Sequence, residues 1–337
     1  MKNDWKLEIL NIELTTRCPL RCPQCYCSLD TGVDIELNLA KKRIDEACSM
    51  GVKSLNLSGG ETLCYPYLFD LISYASYKRI SSILVAISGM YFDEEKLDKM
   101  IEAGVTGICV SINGSTEHIN AFSRDGYNHA INALKILAKK KYPNTIINWV
   151  MHSTNADDFV NLVDLAEHYN VALIDIISLK PDSNSSMRTF PSKEQIVSVS
   201  KFIKKYAGPV KIQIESCYSN FLAYHLETKL FGNLNITAHK GCTAGRNSIS
   251  VDVHGCFTPC RHIVAIEDFD SMEDYWNNSE LILRLREIEG NSVEPCKSCY
   301  YSPYCRHCQA ISWNQKGDVY VGFEGCPVYK PITTVNT

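Results

Sequence analysis

No stretch of this 337-residue sequence approaches the roughly 20 continuous apolar residues that a membrane-spanning helix needs, so no such helix is expected. A basic excess is also missing. Lys and Arg number 34 against 38 Asp and Glu, a net charge of −4, and no global field draws the chain to nucleic acid or anionic lipid. The one short basic run, Lys139-Lys140-Lys141, closes a helical pattern, where cations suit the helix dipole. The opening Met1-Lys2-Asn3-Asp4-Trp5-Lys6 has no apolar signal region and leads straight into a strand-like run. Internal repeats are absent. Cysteine, by contrast, is plentiful, with sixteen in the chain. Without a secretion signal these read as metal ligands more readily than as disulfides. The expected setting is cytoplasmic and the protein oxygen-sensitive. The length suffices for a full core in one large or two modest domains.

Three thiols stand closest together, as Cys18-x3-Cys22-x2-Cys25 within Thr15-Thr16-Arg17-Cys18-Pro19-Leu20-Arg21-Cys22-Pro23-Gln24-Cys25-Tyr26, directly after an apolar run. Three thiolates can hold three corners of a cubane iron–sulfur cluster and leave its fourth iron open to a small molecule. Zinc ligation, a redox pair and buried structural thiols remain alternatives on this spacing alone. A second motif, Ser58-Gly59-Gly60-Glu61-Thr62, ends a strand-like run. A Gly-Gly pair there lets backbone approach a ligand closely and adopt positive φ at no steric cost.

The order of the first half is regular. Strand patterns are read at Ile9–Leu14, Ser54–Leu57, Ile83–Ile87, Gly107–Ile112, Thr145–Val150 and Leu173–Ile177. Helical patterns lie between them at Leu39–Met50, Tyr67–Lys78, Glu94–Ala103, Tyr127–Lys140 and Asp157–Tyr169. Gly51 and Gly104 fall where left-handed caps belong, and Asp93 and Asn155 where N-caps belong. Such alternation predicts parallel βαβ units.

The cysteine triplet, the Gly-Gly-Glu motif one βα unit later and this alternation together resemble the radical S-adenosylmethionine (SAM) superfamily. The resemblance implies an α/β fold, a partial (β/α)6 TIM-like barrel with its site at the C-terminal strand ends. It also implies a [4Fe–4S] cluster on Cys18, Cys22 and Cys25. The open iron would chelate SAM, whose reductive cleavage yields a 5′-deoxyadenosyl radical. By the same resemblance Gly59, Gly60 and Glu61 lie against the SAM amino group, and Ser88, Ser111 and Arg124 are further SAM-binding candidates. Thr62 stands where the family often has Pro, Gln24 where it has an aromatic residue or His, and Asn113 where Asp is common. Pro181, after the sixth strand, reads as the end of the barrel.

The second half changes character. Ser192 and Gln195 form a capping-box pattern opening a helix to about Tyr206, followed by a strand-like Val210–Ile214. An alternating run at Ser248–Val253 turning at His254-Gly255 predicts a hairpin. Seven cysteines, Cys242, Cys260, Cys296, Cys299, Cys305, Cys308 and Cys326, are similar in order to the SPASM auxiliary domain, which binds two further [4Fe–4S] clusters. One spacing departs: two residues, where three are usual, separate Cys305 from Cys308. The resemblance implies a distal cluster on Cys296, Cys299, Cys305 and Cys326, and a proximal one on Cys242, Cys260 and Cys308. The expected organisation is a barrel at 1–190, a bridging segment at 191–237 and the auxiliary domain at 238–337.

Six cysteines remain: Cys27, Cys48, Cys64, Cys109, Cys217 and Cys256. Cys48 and Cys109 read as core fillers. Cys64 and Cys217 are candidate hydrogen-atom donors to a substrate radical. The proximal cluster then has an open iron, or takes Cys256 or Cys217 as its fourth ligand. The resemblance implies hydrogen abstraction from a carbon of a peptide or protein, leading to crosslinking, oxidation or epimerisation. Expected partners are that substrate, a reductant such as flavodoxin or ferredoxin, and a separate leader-binding protein if the reaction needs one. Dehydrogenation or epimerisation of a sugar or tetrapyrrole is an alternative, and a zinc-stabilised scaffold without radical chemistry is another.

Overall fold

The computed structural model describes residues 5–27, 29, 32–180, 190–227, 241–288 and 293–332. Pro181 and the 237/238 boundary lie outside them. Seven strands, β1 (Ile9–Glu13), β2 (Ser54–Ser58), β3 (Ser82–Ile87), β4 (Gly107–Ser111), β5 (Thr145–Met151), β6 (Leu173–Ser178) and β7 (Lys211–Ile214), lie side by side in sequence order, all parallel. Between them run α1 (Leu37–Ser49), α2 (Leu68–Tyr77), α3 (Glu94–Ala103), a short α4 (Glu117–Ala121), α5 (Tyr127–Lys139), α6 (Phe159–His168) and α7 (Lys193–Lys205).

The strand patterns place apolar side chains on the helix-covered face. In β1, Leu10 and Ile12 are fully buried while Ile9, Asn11 and Glu13 turn to the other face. That other face is partly open and polar. Residues from β1 through β6, including Asn11, Asn56, Cys109, Asn148 and Asp175, line one chamber. A sheet whose first and sixth strands border one space is curved around it, as in a partial barrel.

Local chemistry sets the helix ends. Asp93 caps α3 by accepting from Lys96 N at 2.8 Å, and Gly104 ends it at φ 100°. Ser192 and Gln195 complete the reciprocal capping box of α7. Asn155 does not cap. Its carboxamide turns inward, donating to Asn113 O and Val150 O at 2.9 Å, because those buried carbonyls have the stronger claim on it.

The segment expected to bridge contributes to the sheet, since β7 pairs with β6. It is followed by α8 (Ser219–Glu227). The predicted hairpin is present as β8 (Ser248–Val251) and β9 (Phe257–Thr258), with Asp252 Oδ1 accepting from His254 N and Cys256 N across the turn. Its surprise is where it docks. β8 pairs in parallel with β1, so the cysteine-rich half extends the barrel's own sheet. The C-terminal region adds α9 (Met272–Asn278), α10 (Glu280–Glu287) and α11 (Gln309–Lys316), with a small core of Ile263, Leu285, Ile311, Val319 and Phe323. No helix among the described residues is long and apolar enough to cross a membrane.

Candidate functional site

The cysteine triplet leaves the C-terminal end of β1 in a loop tied down at both ends. Thr15 Oγ1 donates to Asp34 at 2.6 Å, and Arg17 pairs with the same carboxylate at 2.9 Å. On the far side Arg21 N donates to Asp125 Oδ2 at 2.8 Å, and Asp125 N donates to Cys22 Sγ at 3.4 Å. The thiols are half-buried. Burial pushes Cys18 up to about 11, whereas Cys25 falls to about 6, chiefly because the Cys27 thiol donates to it, with the Arg124 guanidinium adding to the effect. Cys27 Sγ also reaches Gly59 O at 3.4 Å.

Gly59 and Gly60 run beside the start of this loop, with Gly60 N donating to Thr15 O at 2.6 Å. Gly59 has φ 151°, and a Cβ there would stand 2.6 Å from Thr15 O. A Cβ on Gly60 would run into the Arg17 carbonyl. Only glycine fits this cradle.

Glu61 is not at the cavity surface. It is 1% exposed, and its carboxylate accepts from Ser88 N at 2.9 Å, from Ser88 Oγ and from Leu63 N at 3.2 Å. It therefore pins the end of β3 to the Gly-Gly turn, and burial raises its carboxyl above the ordinary range. Gly59, Gly60, Ser88, Ser111 and Arg124 do line one cavity with Cys18, Cys22 and Cys25. Two buried polar atoms there, Arg124 Nε and Gln24 Oε1, have no hydrogen-bond partner. A cradle that excludes any Cβ, unpaired donor and acceptor atoms and three thiols at one rim fit a polar ligand held beside a cluster.

Arg124 is carried by a buried network that no spacing in the sequence announced. Asn113 Nδ2 donates to Ser123 Oγ at 2.8 Å, His152 Nε2 meets the same hydroxyl at 2.8 Å, and Asn120 Nδ2 donates to Arg124 O at 2.7 Å. Asn113 is thus a hub between β4 and β5, also accepting from Val150 N and Trp149 Nε1. Burial holds His152 down to about 4.

The chamber inside the barrel borders this cavity, and both are lined by Ser58, Asn148, Ile177, Lys180, Arg261 and His262. Asp175 and Glu215 face it together. Burial first, then Glu215, raises the Asp175 carboxyl to about 8. Cys109, expected as core filler, also lines this chamber because its position on β4 points inward. Cys48 does pack against the core. Cys64 sits on the turn after Glu61 and lines neither cavity.

Cys296, Cys299, Cys305 and Cys326 line one small cavity together with His307, Phe323 and Tyr301. Cys217, Cys242 and Cys260 line the barrel chamber, and all three lie close enough to Cys308 to act on its thiol. Cys256 lies elsewhere, on the hairpin turn near Arg43 and Asp268. Among the described residues no three His, Cys, Asp or Glu side chains are close enough to share a single metal ion. A cubane does not ask that of them, since each thiolate takes a different iron.

Residues 12–166 match the Radical SAM superfamily. Among its relatives, the AdoMet-dependent heme synthase of Methanosarcina barkeri is 25% identical, with 95% of each chain covered. The PqqA peptide cyclase of Bradyrhizobium diazoefficiens is 24% identical over 89% of this chain and 81% of its own. The structure of Streptococcus suis SuiB bound to precursor peptide SuiA superposes with a TM-score of 0.76 at 15% identity, covering 95% of this chain and 76% of that one. AdoMet-bound anSMEcpe gives 0.69 at 17% identity, covering 94% and 92%. These structural likenesses concern the fold.

Proposed function

We propose that the chain modifies a peptide or protein by radical chemistry. One observation carries this reading: one set of thiols rims a glycine-cradled cavity and a second lines the polar chamber that borders it, while a third lines a small cavity of its own. Cys18, Cys22 and Cys25 would hold the cluster that binds SAM, and cleaved SAM supplies a 5′-deoxyadenosyl radical able to take hydrogen from a substrate carbon. Gly59 and Gly60 admit the SAM backbone, Ser88 and Ser111 offer hydroxyls, and Arg124 presents its unpaired guanidinium nitrogen to an anionic or polar group. Asn11, Asn56 and Asn148 line the chamber with carboxamides, which match the donors and acceptors of peptide bonds. Asn56 Oδ1 is buried without a donor, leaving an acceptor for a substrate N–H. Cys296, Cys299, Cys305 and Cys326 would hold one auxiliary cluster, and Cys242, Cys260 and Cys308 another. Such clusters suit an oxidative outcome, in which the substrate gives up a second electron. The relatives that cyclise PqqA and bind SuiA support a peptide substrate.

A small-molecule reading is favoured by the heme synthase, which this chain matches over 95% of both lengths. Oxygen-free reconstitution and iron counting test the cluster assignment. Three cubanes predict about 12 irons, falling to about 8 in a Cys18/Cys22/Cys25→Ala variant. Incubation with SAM and a flavodoxin- or ferredoxin-type reductant should then yield 5′-deoxyadenosine. A candidate peptide should lose the mass of two hydrogens. About 4 irons falling to none, with zinc on the remaining thiols, would defeat the auxiliary-cluster part.

A further inference from the structure

Four thiols, not three, converge where the barrel meets the C-terminal region. Cys242 precedes β8, Cys260 follows β9 and Cys308 opens α11. The fourth, Cys217, comes from the opposite edge of the sheet, on the turn Ser216–Tyr218 that follows β7. Cys217 lines the same chamber as Cys242 and Cys260 and packs on the cluster of side chains that contains Cys308. Cys256, the nearer candidate in sequence to Cys260, sits on the hairpin turn in the field of Asp252 and Arg43 and does not line the chamber. A buried ammonium donates directly to one of the four thiols. Lys180 Nζ donates to Cys217 Sγ at 3.3 Å and to Ser178 O at 2.9 Å, and Cys260 and Cys308 also act on its charge.

We infer that Cys217 is the fourth ligand of the proximal auxiliary cluster, and that Lys180 is a positioning residue that sets the cluster's potential. The inference rests on the reading that the C-terminal thiols bind clusters. Its consequence is functional. A cubane with four protein thiolates has no iron left for substrate, so the proximal cluster relays electrons and does not hold the peptide. A thiolate bound to iron carries no hydrogen, which removes Cys217 from the hydrogen donors. A fully ligated cubane is dianionic when oxidised and gains a further negative charge on reduction. A buried ammonium donating to a ligand sulfur stabilises the reduced form and raises the potential.

The test uses the full chain with Cys18, Cys22 and Cys25 changed to Ala, so that only auxiliary clusters remain, reconstituted without oxygen. Iron is counted, and the reduced protein is examined by electron paramagnetic resonance with and without cyanide, a ligand for an open iron. The expected parent holds about 8 irons and its spectrum ignores cyanide. Adding Cys217→Ala should either make the spectrum cyanide-sensitive or remove one cluster's irons, and Cys217→Ser should shift the signal. Cys256→Ala should match the parent. A cyanide-sensitive parent, a Cys217→Ala spectrum identical to it, or opening by Cys256→Ala would each overturn the inference while leaving the cluster reading intact. A parent without iron would overturn the cluster reading itself. Lys180→Met gives an independent check, since its iron count should hold while the midpoint potential becomes more negative. An unchanged potential would remove Lys180 from the assignment.

Discussion

Arg261, one residue beyond Cys260, donates to the Ser58 hydroxyl at 2.9 Å, one residue before Gly59. The contact joins the two cysteine-bearing halves at the point where their cavities meet. Arg261 also reaches Tyr26 Oη at 3.4 Å, and the buried Glu13 carboxyl lies within its field. Burial raises Glu13 above the usual carboxylate range, and Arg261 works against that rise. Removing the guanidinium leaves that carboxyl without its opposing charge. Arg261→Met should therefore lower the urea midpoint strongly. Arg261→Met combined with Glu13→Gln should recover much of the loss. Additive losses in that double-variant cycle would show that the two residues act separately.

The glycine cradle gives a sharper prediction. Gly60→Ala places a methyl group against the Arg17 carbonyl, so either the cysteine loop or the Gly-Gly turn must move. SAM binding by equilibrium dialysis should weaken at least tenfold, about 1.4 kcal/mol. Gly317→Ala is the comparison. It has φ 70° but nothing within 4 Å of its added Cβ, so its strain is local to the end of α11. SAM affinity equal in Gly60→Ala and the parent would remove the turn from the binding site.

The parallel architecture was legible because it is written in periods. Leu10 and Ile12 alternate with Asn11 and Glu13, and all six expected strands are present with ends displaced by a residue or so. The Cys18, Cys22 and Cys25 triplet was legible because its spacing is local, whereas the grouping of the C-terminal thiols came from the resemblance. What sequence could not show depends on topology. Lys180 and Cys217 lie at the ends of β6 and β7, which become neighbours only when the strands pair. Asp175 and Glu215 meet for the same reason. Asn113 looked like a departure at a ligand position, yet it is a buried hub whose partners span 36 residues or more toward β5. Likewise the inward aim of Cys109 follows from sheet curvature, which composition does not encode.

Asp175 makes stability fall as pH rises. Its carboxyl titrates near 8 in the folded chain and at about 3.9 when unfolded. Across that window the folded state holds the extra proton. The resulting stabilisation is complete below pH about 4 and is lost as pH climbs through about 8, with a limiting slope of roughly 1.4 kcal/mol per pH unit. Asp175→Asn should flatten the urea midpoint between pH 6.5 and 8, where the parent declines. A parent already flat over that range would mean that the Asp175 carboxyl is not raised by its burial beside Glu215.

His152 acts in the opposite direction. Burial holds it down to about 4 in the folded chain, against about 6.5 when unfolded. Between those values the unfolded state binds the extra proton, so its contribution is present above pH about 6.5 and is lost as pH falls through about 4. The two residues therefore oppose each other between pH 4 and 6.5, and the parent should be nearly flat there although each group titrates. Single variants would uncover the hidden slopes. His152→Gln should leave stability falling with rising pH from 4.5 to 6.5, and Asp175→Asn should leave it rising over the same range. Because His152 also holds the Ser123 hydroxyl beneath Arg124, His152→Gln should weaken SAM binding at pH 7.5, where neither form of the histidine is charged. A variant that changed the pH slope without touching SAM affinity would separate the network's structural role from its hold on Arg124.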